Sequence, residues 1–274
     1  MNGMKNVKRM MAVAMILIMA MSIVACGSKN GKDGQKVSDA KNDDKTFVVG
    51  FDQDFPPFGY VGDDGEFTGF DIEMAQECAK RMGQEIVLQP IYWDAKDMEL
   101  ESGTIDCIWN GFTINGREDQ YTWTDAYMDN SQVVVVRADS GIETLADLEG
   151  KNVEVQKESS AQSAIEDNEE LMKTFGELRT VGEYNTAIMD LESGAVDAIA
   201  MDIFVAKDQI ADKDGELIIL DQQISTEQYA IGFKKGNTAL RDQVQTTLMD
   251  MVKDGTFAKI SDKWFGMDVC ILEP

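Results

Sequence analysis

LESGTIDCI, residues 100–108, returns at an offset of 91 residues as LESGAVDAI, residues 191–199, with six identities in nine and one Ile/Val exchange. That spacing is too long for the unit of a solenoid, so the chain reads as two lobes built on one plan. In each copy Glu-Ser-Gly closes a helix, with Gly103 or Gly194 where left-handed backbone geometry is tolerated, and a short β-branched strand follows. Ligands of open α/β sheets sit beyond the carboxyl ends of such strands. Here those ends are Trp109, Asn110 and Gly111 in one copy and Met201 and Asp202 in the other. Two matching lobes imply a cleft between them.

The flanking sequence extends the same plan. Residues 46–51 predict a strand, and residues 52–58 a loop in which Pro56 and Pro57 hold aromatic rings rigidly. Residues 71–82 put Ile72, Ala75, Cys78, Ala79 and Met82 on one helical stripe that stops at Gly83. A strand over 85–91 and a helix around 94–101 lead into the first repeat, giving the β-α-β order of a parallel sheet. Four valines, capped by Arg137, open a second series: strand 151–155, a helix from Ser160, a helix over 184–192 and the second repeat. Asp-Lys-Asp-Gly at 212–215 reads as a polar turn before strand 217–220. A calcium loop there would need an acid at Ile210 and Glu at Asp221. Strand 229–233, an amphipathic helix from 238 to about 254 and a helix ending at Gly266 finish the fold. A chain that builds one lobe, crosses, builds the other and returns has two connecting strands, which are natural hinges. The expected boundaries are 46–130 with 228–274 for lobe one and 131–227 for lobe two.

Ahead of this region lies a targeting segment, residues 1–25. Lys5, Lys8 and Arg9 precede an apolar run from Met10 to Val24 that is short for a membrane span and reads as a secretory leader. It ends in Ile-Val-Ala-Cys-Gly, which resembles a bacterial lipobox, so lipidation is expected at Cys26. Acyl chains there would anchor the chain without a transmembrane helix. Residues 26–45 offer almost nothing to bury and read as a flexible tether.

The formal net charge of −25 sets the chain against nucleic acid and anionic headgroups. With no histidine in the sequence, Ser-His-Asp and Cys-His catalysis and His-ligated zinc are excluded. Besides Cys26 there are Cys78, Cys107 and Cys270, so at most one disulfide forms within the chain; Cys78 and Cys107 read as small core residues. No catalytic residue, metal or cofactor is expected.

Phe51-Asp52-Gln53-Asp54-Phe55-Pro56-Pro57-Phe58, Gly69-Phe70-Asp71-Ile72-Glu73-Met74-Ala75, the Ser-Gly-x-Ile-Asp of the first repeat, Thr144-Leu145-Ala146-Asp147-Leu148-Glu149-Gly150-Lys151, and Asp254-Gly255-Thr256-Phe257 with Lys263-Trp264-Phe265-Gly266 together resemble the family 3 extracellular solute-binding proteins. The likeness runs in order through residues 46–266. It implies a type II periplasmic-binding-protein-like α/β fold, two lobes joined by two hinge strands and closing on an amino acid. It further implies a non-enzymatic lipoprotein on the extracytoplasmic face of the cell membrane, a monomer serving an ABC permease and ATPase.

Roles carry over by position. Arg117 would grip the ligand carboxylate, with its planar fork suited to the task; a surface arginine starting a helix is the alternative. Asp202 would accept from the ammonium, or else cap the helix that follows. Phe55 and Trp93 would sandwich the aliphatic stem, or else pack the lobes together. Asn110, Gly111 and Thr113 match the strand-end segment that bonds the zwitterion, with Gly111 allowing close approach. Ser159 and Ser160 open a helix whose N–H groups favour a carboxylate, although Ser159 with Gln162 is also a capping-box pattern. Asp52 matches a position that meets the ligand side chain. Since Asp52 is an acid beyond the zwitterion's needs, a neutral-polar or cationic amino acid is expected. Competing readings are a periplasmic prephenate or arogenate dehydratase and an amino-acid sensory module.

Overall fold

The structure is a computed structural model and describes residues 45–273. The leader, Cys26 and the tether up to residue 44 lie outside the described residues. Strand β1 (Thr46–Phe51) leads into a small meander, β2 (Asp54–Phe55), β3 (Gly59–Val61) and β4 (Phe67–Thr68). Helix α1 (Phe70–Met82), β5 (Glu85–Pro90), α2 (Lys96–Ser102), β6 (Cys107–Ile108) and β7 (Thr122–Trp123) follow. The long β8 (Met128–Arg137) crosses to the second lobe. There the chain forms β9 (Asn152–Gln156), α3 (Ser160–Asp167), α4 (Glu169–Met172), β10 (Glu177–Val181), α5 (Tyr184–Ser193), β11 (Ala198–Asp202), α6 (Ile203–Ile210) and β12 (Leu217–Ile219). Strand β13 (Ser225–Tyr229) returns, and β14 (Gly232–Phe233), α7 (Thr238–Lys253) and α8 (Thr256–Phe265) complete the first lobe.

The two main sheets have matching orders, β5-β1-β6-β14-β7 and β10-β9-β11-β8-β12. In each, three parallel strands meet one antiparallel neighbour, β14 or β8. Strand β14 reaches the first sheet only after the second lobe is built, while β8 enters the second sheet straight from the first lobe. The two connections pair with each other, from Met128 opposite Tyr229 to Gln132 opposite Ser225.

The repeated nonapeptide performs the same task twice. Gly103 and Gly194 both sit at φ 78°. The N–H groups of Gly103 and Thr104 bond back to Leu100 and Glu99, and those of Gly194 and Ala195 to Leu191 and Asp190, which satisfies the last carbonyls of α2 and α5. The aspartate of each copy then fastens the new strand to its parallel neighbour. Val48 N–H donates to Asp106 Oδ2 at 2.8 Å, and Asn152 N–H to Asp197 Oδ2 at 2.9 Å. Each aspartate returns the bond from its own N–H, to the carbonyl of Val48 or Asn152. Arg137 adds a further cap, donating from Nη1 to the carbonyls of Leu191 in the last turn of α5 and of Val196 just before β11.

Central strands are buried on both faces; every residue of β11 is buried, as is nearly every residue of β8. One aromatic cluster joins the lobes through the crossover, with Phe58 5.3 Å from Tyr229 and 6.3 Å from Phe204. Phe204 in turn lies 5.1 Å from Phe265.

The strand expected over 229–233 is two strands. Residues 225–229 belong to the crossing ribbon and 232–233 to the first sheet. The bend between them is held by Thr124 N–H to Ile231 O and Tyr127 N–H to Tyr229 O. The valine strand starts earlier than expected, at Met128, because its polar first half pairs with β13. Cys78, Cys107 and Cys270 are all free thiols. Burial pushes the Cys78 thiol up to about 12, consistent with its place in the core.

Candidate functional site

The carboxyl ends of β1, β6, β9 and β11 point at one another across the two lobes. Between them Phe55, Trp93, Asn110, Gly111, Thr113, Arg117, Gln156, Ser159, Ser160 and Asp202 line a single cavity of about 10 Å³. Nine of these ten were singled out from the sequence. The tenth, Gln156, was not, and Asp52 lies one layer further out. The Asp52 carboxylate accepts from Gln156 Nε2 at 2.7 Å and from Asp54 N–H at 2.9 Å, and it lines an adjoining pocket of about 370 Å³ with Asp54, Tyr92, Trp93 and Glu183. Burial above all pushes its carboxyl up to about 6, against the pull of those two hydrogen bonds. A groove of about 610 Å³ opens on the other side, lined in part by Lys96, Arg117, Glu158, Ser160 and Glu227.

Asp202 stands at the N-cap position of α6 without capping it. Its Oδ1 accepts instead from Asn130 Nδ2 (2.7 Å), Gln132 Nε2 (2.8 Å) and Tyr229 Oη (2.6 Å). Glu227, on the crossing strand β13, joins the same network through Oε1, which accepts from Thr113 Oγ1, Asn130 Nδ2, Gln132 Nε2 and Ser160 Oγ. Burial, then the adjacent Glu227, push the Asp202 carboxyl up to about 7.

Arg117 starts no helix. Its guanidinium lies 5.5 Å from the Phe112 ring centre and donates to the carbonyls of Thr113 and Glu158, both at 3.2 Å. Trp93 reaches the same Glu158 carbonyl through Nε1 at 3.2 Å, and both Trp93 and Phe55 are buried. Ser159 does cap α3, accepting from Gln162 N–H at 3.1 Å, while Gln162 bonds Glu158 N–H. Ser160 Oγ also accepts from Gln132 Nε2. The Asn110 side chain turns toward the first lobe, where its Oδ1 accepts from Asp52 N–H at 3.0 Å. It therefore holds the loop after β1, and Asn110 also lines the cavity.

Gly111 has φ +55, and a Cβ there would come within 3.0 Å of the Phe55 ring and 3.2 Å of the Tyr229 ring. Its N–H donates to Asp71 Oδ2 at 2.6 Å. Asp71, fully buried at the start of α1, is further bonded by the Tyr127 hydroxyl at 2.9 and 3.0 Å, so it fixes the strand-end turn from below. Asp71 and Glu227 escaped the sequence reading because their partners are distant in sequence. Gln156 had a signal. Val49 of β1 pairs Cys107 of the first repeat and Val153 of β9 pairs Ala198 of the second, so Gln156 is the second-lobe counterpart of Asp52, 104 residues on.

Two α/β lobes on a pair of crossing strands, with a polar cavity between opposed strand ends, define a two-lobed solute receptor. The chain belongs to the bacterial extracellular solute-binding proteins, family 3, matching over residues 47–267. It is 32% identical over 259 residues to the L-cystine-binding protein TcyJ of Escherichia coli (strain K12), covering 93% of this chain and 96% of that one. It is 30% identical over 274 residues to the L-cystine-binding protein TcyA of Bacillus subtilis (strain 168), covering 96% and 98%. The crystal structure of an ABC uptake transporter substrate-binding protein from Streptococcus pneumoniae with bound histidine superposes with a TM-score of 0.80 at 34% identity, covering 84% and 96%. The chain is thus a binding protein and not an enzyme, which sets the dehydratase reading aside.

Proposed function

We propose that the chain is an extracytoplasmic lipoprotein, anchored through Cys26, that captures a polar amino acid as a monomer and delivers it to an ABC importer. The observation that carries this reading is the convergence of a guanidinium, a buried carboxylate and two aromatic rings on one inter-lobe cavity. Relatives that bind cystine or histidine support the amino-acid class. Arg117 takes the ligand carboxylate, Asp202 the ammonium, Phe55 and Trp93 the stem, and Asp52 with Gln156 meets the far end. Asp52, a second acid beside one arginine, makes the far end neutral-polar or cationic, because a second ligand carboxylate brought to it in a desolvated site costs several kcal/mol. Pockets that hold small molecules run to roughly 300–1,000 Å³, so admission requires the lobes to part about β8 and β13.

A thermal-shift screen over the common amino acids tests this. At about a hundred times Kd the ligand adds roughly 2.7 kcal/mol, which raises Tm by roughly 5–10 °C for a chain of this size. Arg117→Ala leaves the carboxylate buried and unpaired and weakens binding by about thirtyfold or more. A screen in which no amino acid shifts Tm, or in which glutamate or aspartate shifts it most, contradicts the proposal.

A further inference from the structure

Asp202 and Glu227 are buried side by side, 3% and 6% exposed, and the groups that hold them are neutral. The Asn130 and Gln132 amides each donate to both carboxylates within 2.8 Å, which brings Asp202 Oδ1 and Glu227 Oε1 onto a common pair of donors. Hydroxyls supply the rest: Tyr229 to Asp202, and Thr113 and Ser160 to Glu227. The cations in the neighbourhood are engaged elsewhere. Arg117 faces two backbone carbonyls, and Lys96 pairs with Glu158 at 3.0 Å. The other ionisable groups around the cavity are acids or phenols: Asp52 beyond Gln156, Asp71 with Tyr127 beneath Gly111, and Tyr184 beneath the second lobe.

Two adjacent carboxylates in a desolvated site cannot both ionise cheaply, and the neutral amides and hydroxyls that hold them supply no compensating charge. We propose that Glu227 is a second acid of the ammonium subsite, that it and Asp202 hold one proton between them in the ligand-free protein, and that this proton leaves when the ligand's ammonium arrives. Before binding the pair carries a single negative charge. The incoming ammonium keeps its three protons, the shared proton passes to solvent, and the resulting two carboxylates face one cation with a third of its hydrogens left for Ser160 or Thr113. Burial and mutual repulsion, which lift the Asp202 carboxyl to about 7, put the release within the neutral range. This inference rests on Asp202 as the ammonium acceptor. It adds a proton stoichiometry and makes affinity rise with pH, by up to about tenfold per unit on the acid side of neutrality. It also extends the ammonium subsite into the hinge, since Glu227 lies opposite Asn130 in the middle of the crossing ribbon.

Two measurements on the full chain decide it. Infrared difference spectra of the ligand-free protein near neutral pH should contain a protonated carboxyl C=O band that is lost in Glu227→Gln and in Asp202→Asn, with the Asp71 and Asp52 contributions cancelling. A band unchanged by both substitutions overturns the shared proton. Calorimetric titration with L-arginine in buffers of different ionisation heat, at about pH 6, should give about one more proton released per ligand in the wild type than in Glu227→Gln. Release from Asp52 at the ligand's far end enters both alike. Equal release in the two proteins overturns the proposal even if L-arginine binds tightly. Absence of any binding heat with L-arginine counts against the cationic-ligand reading instead, and the infrared difference then decides the proton alone.

Discussion

Single residues in this site do two jobs, and the sequence discloses only one of them. Asp202, Phe55, Trp93 and Arg117 were legible because their positions follow from strand ends and a family pattern, and all of them line the cavity. Ser159 was legible in both senses, as cavity wall and helix cap. Asn110 was read as part of the strand-end segment that bonds the zwitterion, and it lines the cavity; its Oδ1 also accepts from Asp52 N–H, a contact 58 residues away that no local pattern announces. Asp71 is the clearest case. It entered the sequence reading only within a motif, whereas the fold buries it under Gly111, and that burial, only partly offset by the Gly111 and Tyr127 hydrogen bonds, pushes its carboxyl up to about 7 from 3.8. A carboxyl raised in the folded state favours folding while protonated, so its contribution is full below about pH 4 and is lost as pH rises toward 7. Asp71→Asn keeps an acceptor for Gly111 and Tyr127 and should flatten the fall in stability over that window by about 1–4 kcal/mol. Urea unfolding of the variant that tracks the wild type from pH 4 to 7 would count against this.

At the scale of elements, the nonapeptide repeat was enough to fix two βα units, their left-handed glycine caps and the strand ends that carry the site. The crossing ribbon was less legible. Its residues 128–132 and 225–229 are mostly polar, alternate weakly and pair with a strand distant in sequence, so periodicity missed the first segment and all of the second but Tyr229, and with it Glu227. The Lys157-Glu158 pair shows what the turn before α3 is for. Glu158, at φ 59°, meets Lys96, whose side chain is 4% exposed, and Lys157 meets Asp94 at 2.9 Å, so both ion pairs span the lobes. Removing one partner of a buried pair leaves an uncompensated charge, although Glu158 itself is half-exposed, which lowers the cost to about 1 kcal/mol. Glu158→Ala should therefore favour the open form, weakening ligand binding about fivefold and enlarging the ligand-free radius of gyration in small-angle scattering. An unchanged affinity and radius would remove the latch from the account.

For the molecule as a whole, the sequence carries information the described residues do not. None of their helices is long and apolar enough to cross a membrane, and the proposed anchor is the lipidated Cys26. Labelled palmitate should enter the wild-type chain in a bacterial host and not Cys26→Ala, which should appear in the soluble fraction; a labelled Cys26→Ala chain would refute the anchor. Closure of the two lobes on a zwitterion is the central claim, and it divides the ligand's charges between them, carboxylate to the first lobe and ammonium to the second. The most direct measurement is a crystal structure with the amino acid that gives the largest thermal shift. The predicted result is a ligand enclosed between Phe55 and Trp93, its carboxylate within hydrogen-bond reach of Arg117 and its ammonium within reach of Asp202. A ligand seated in the outer groove beside Lys96, or one whose carboxylate faces Asp202, would contradict the account.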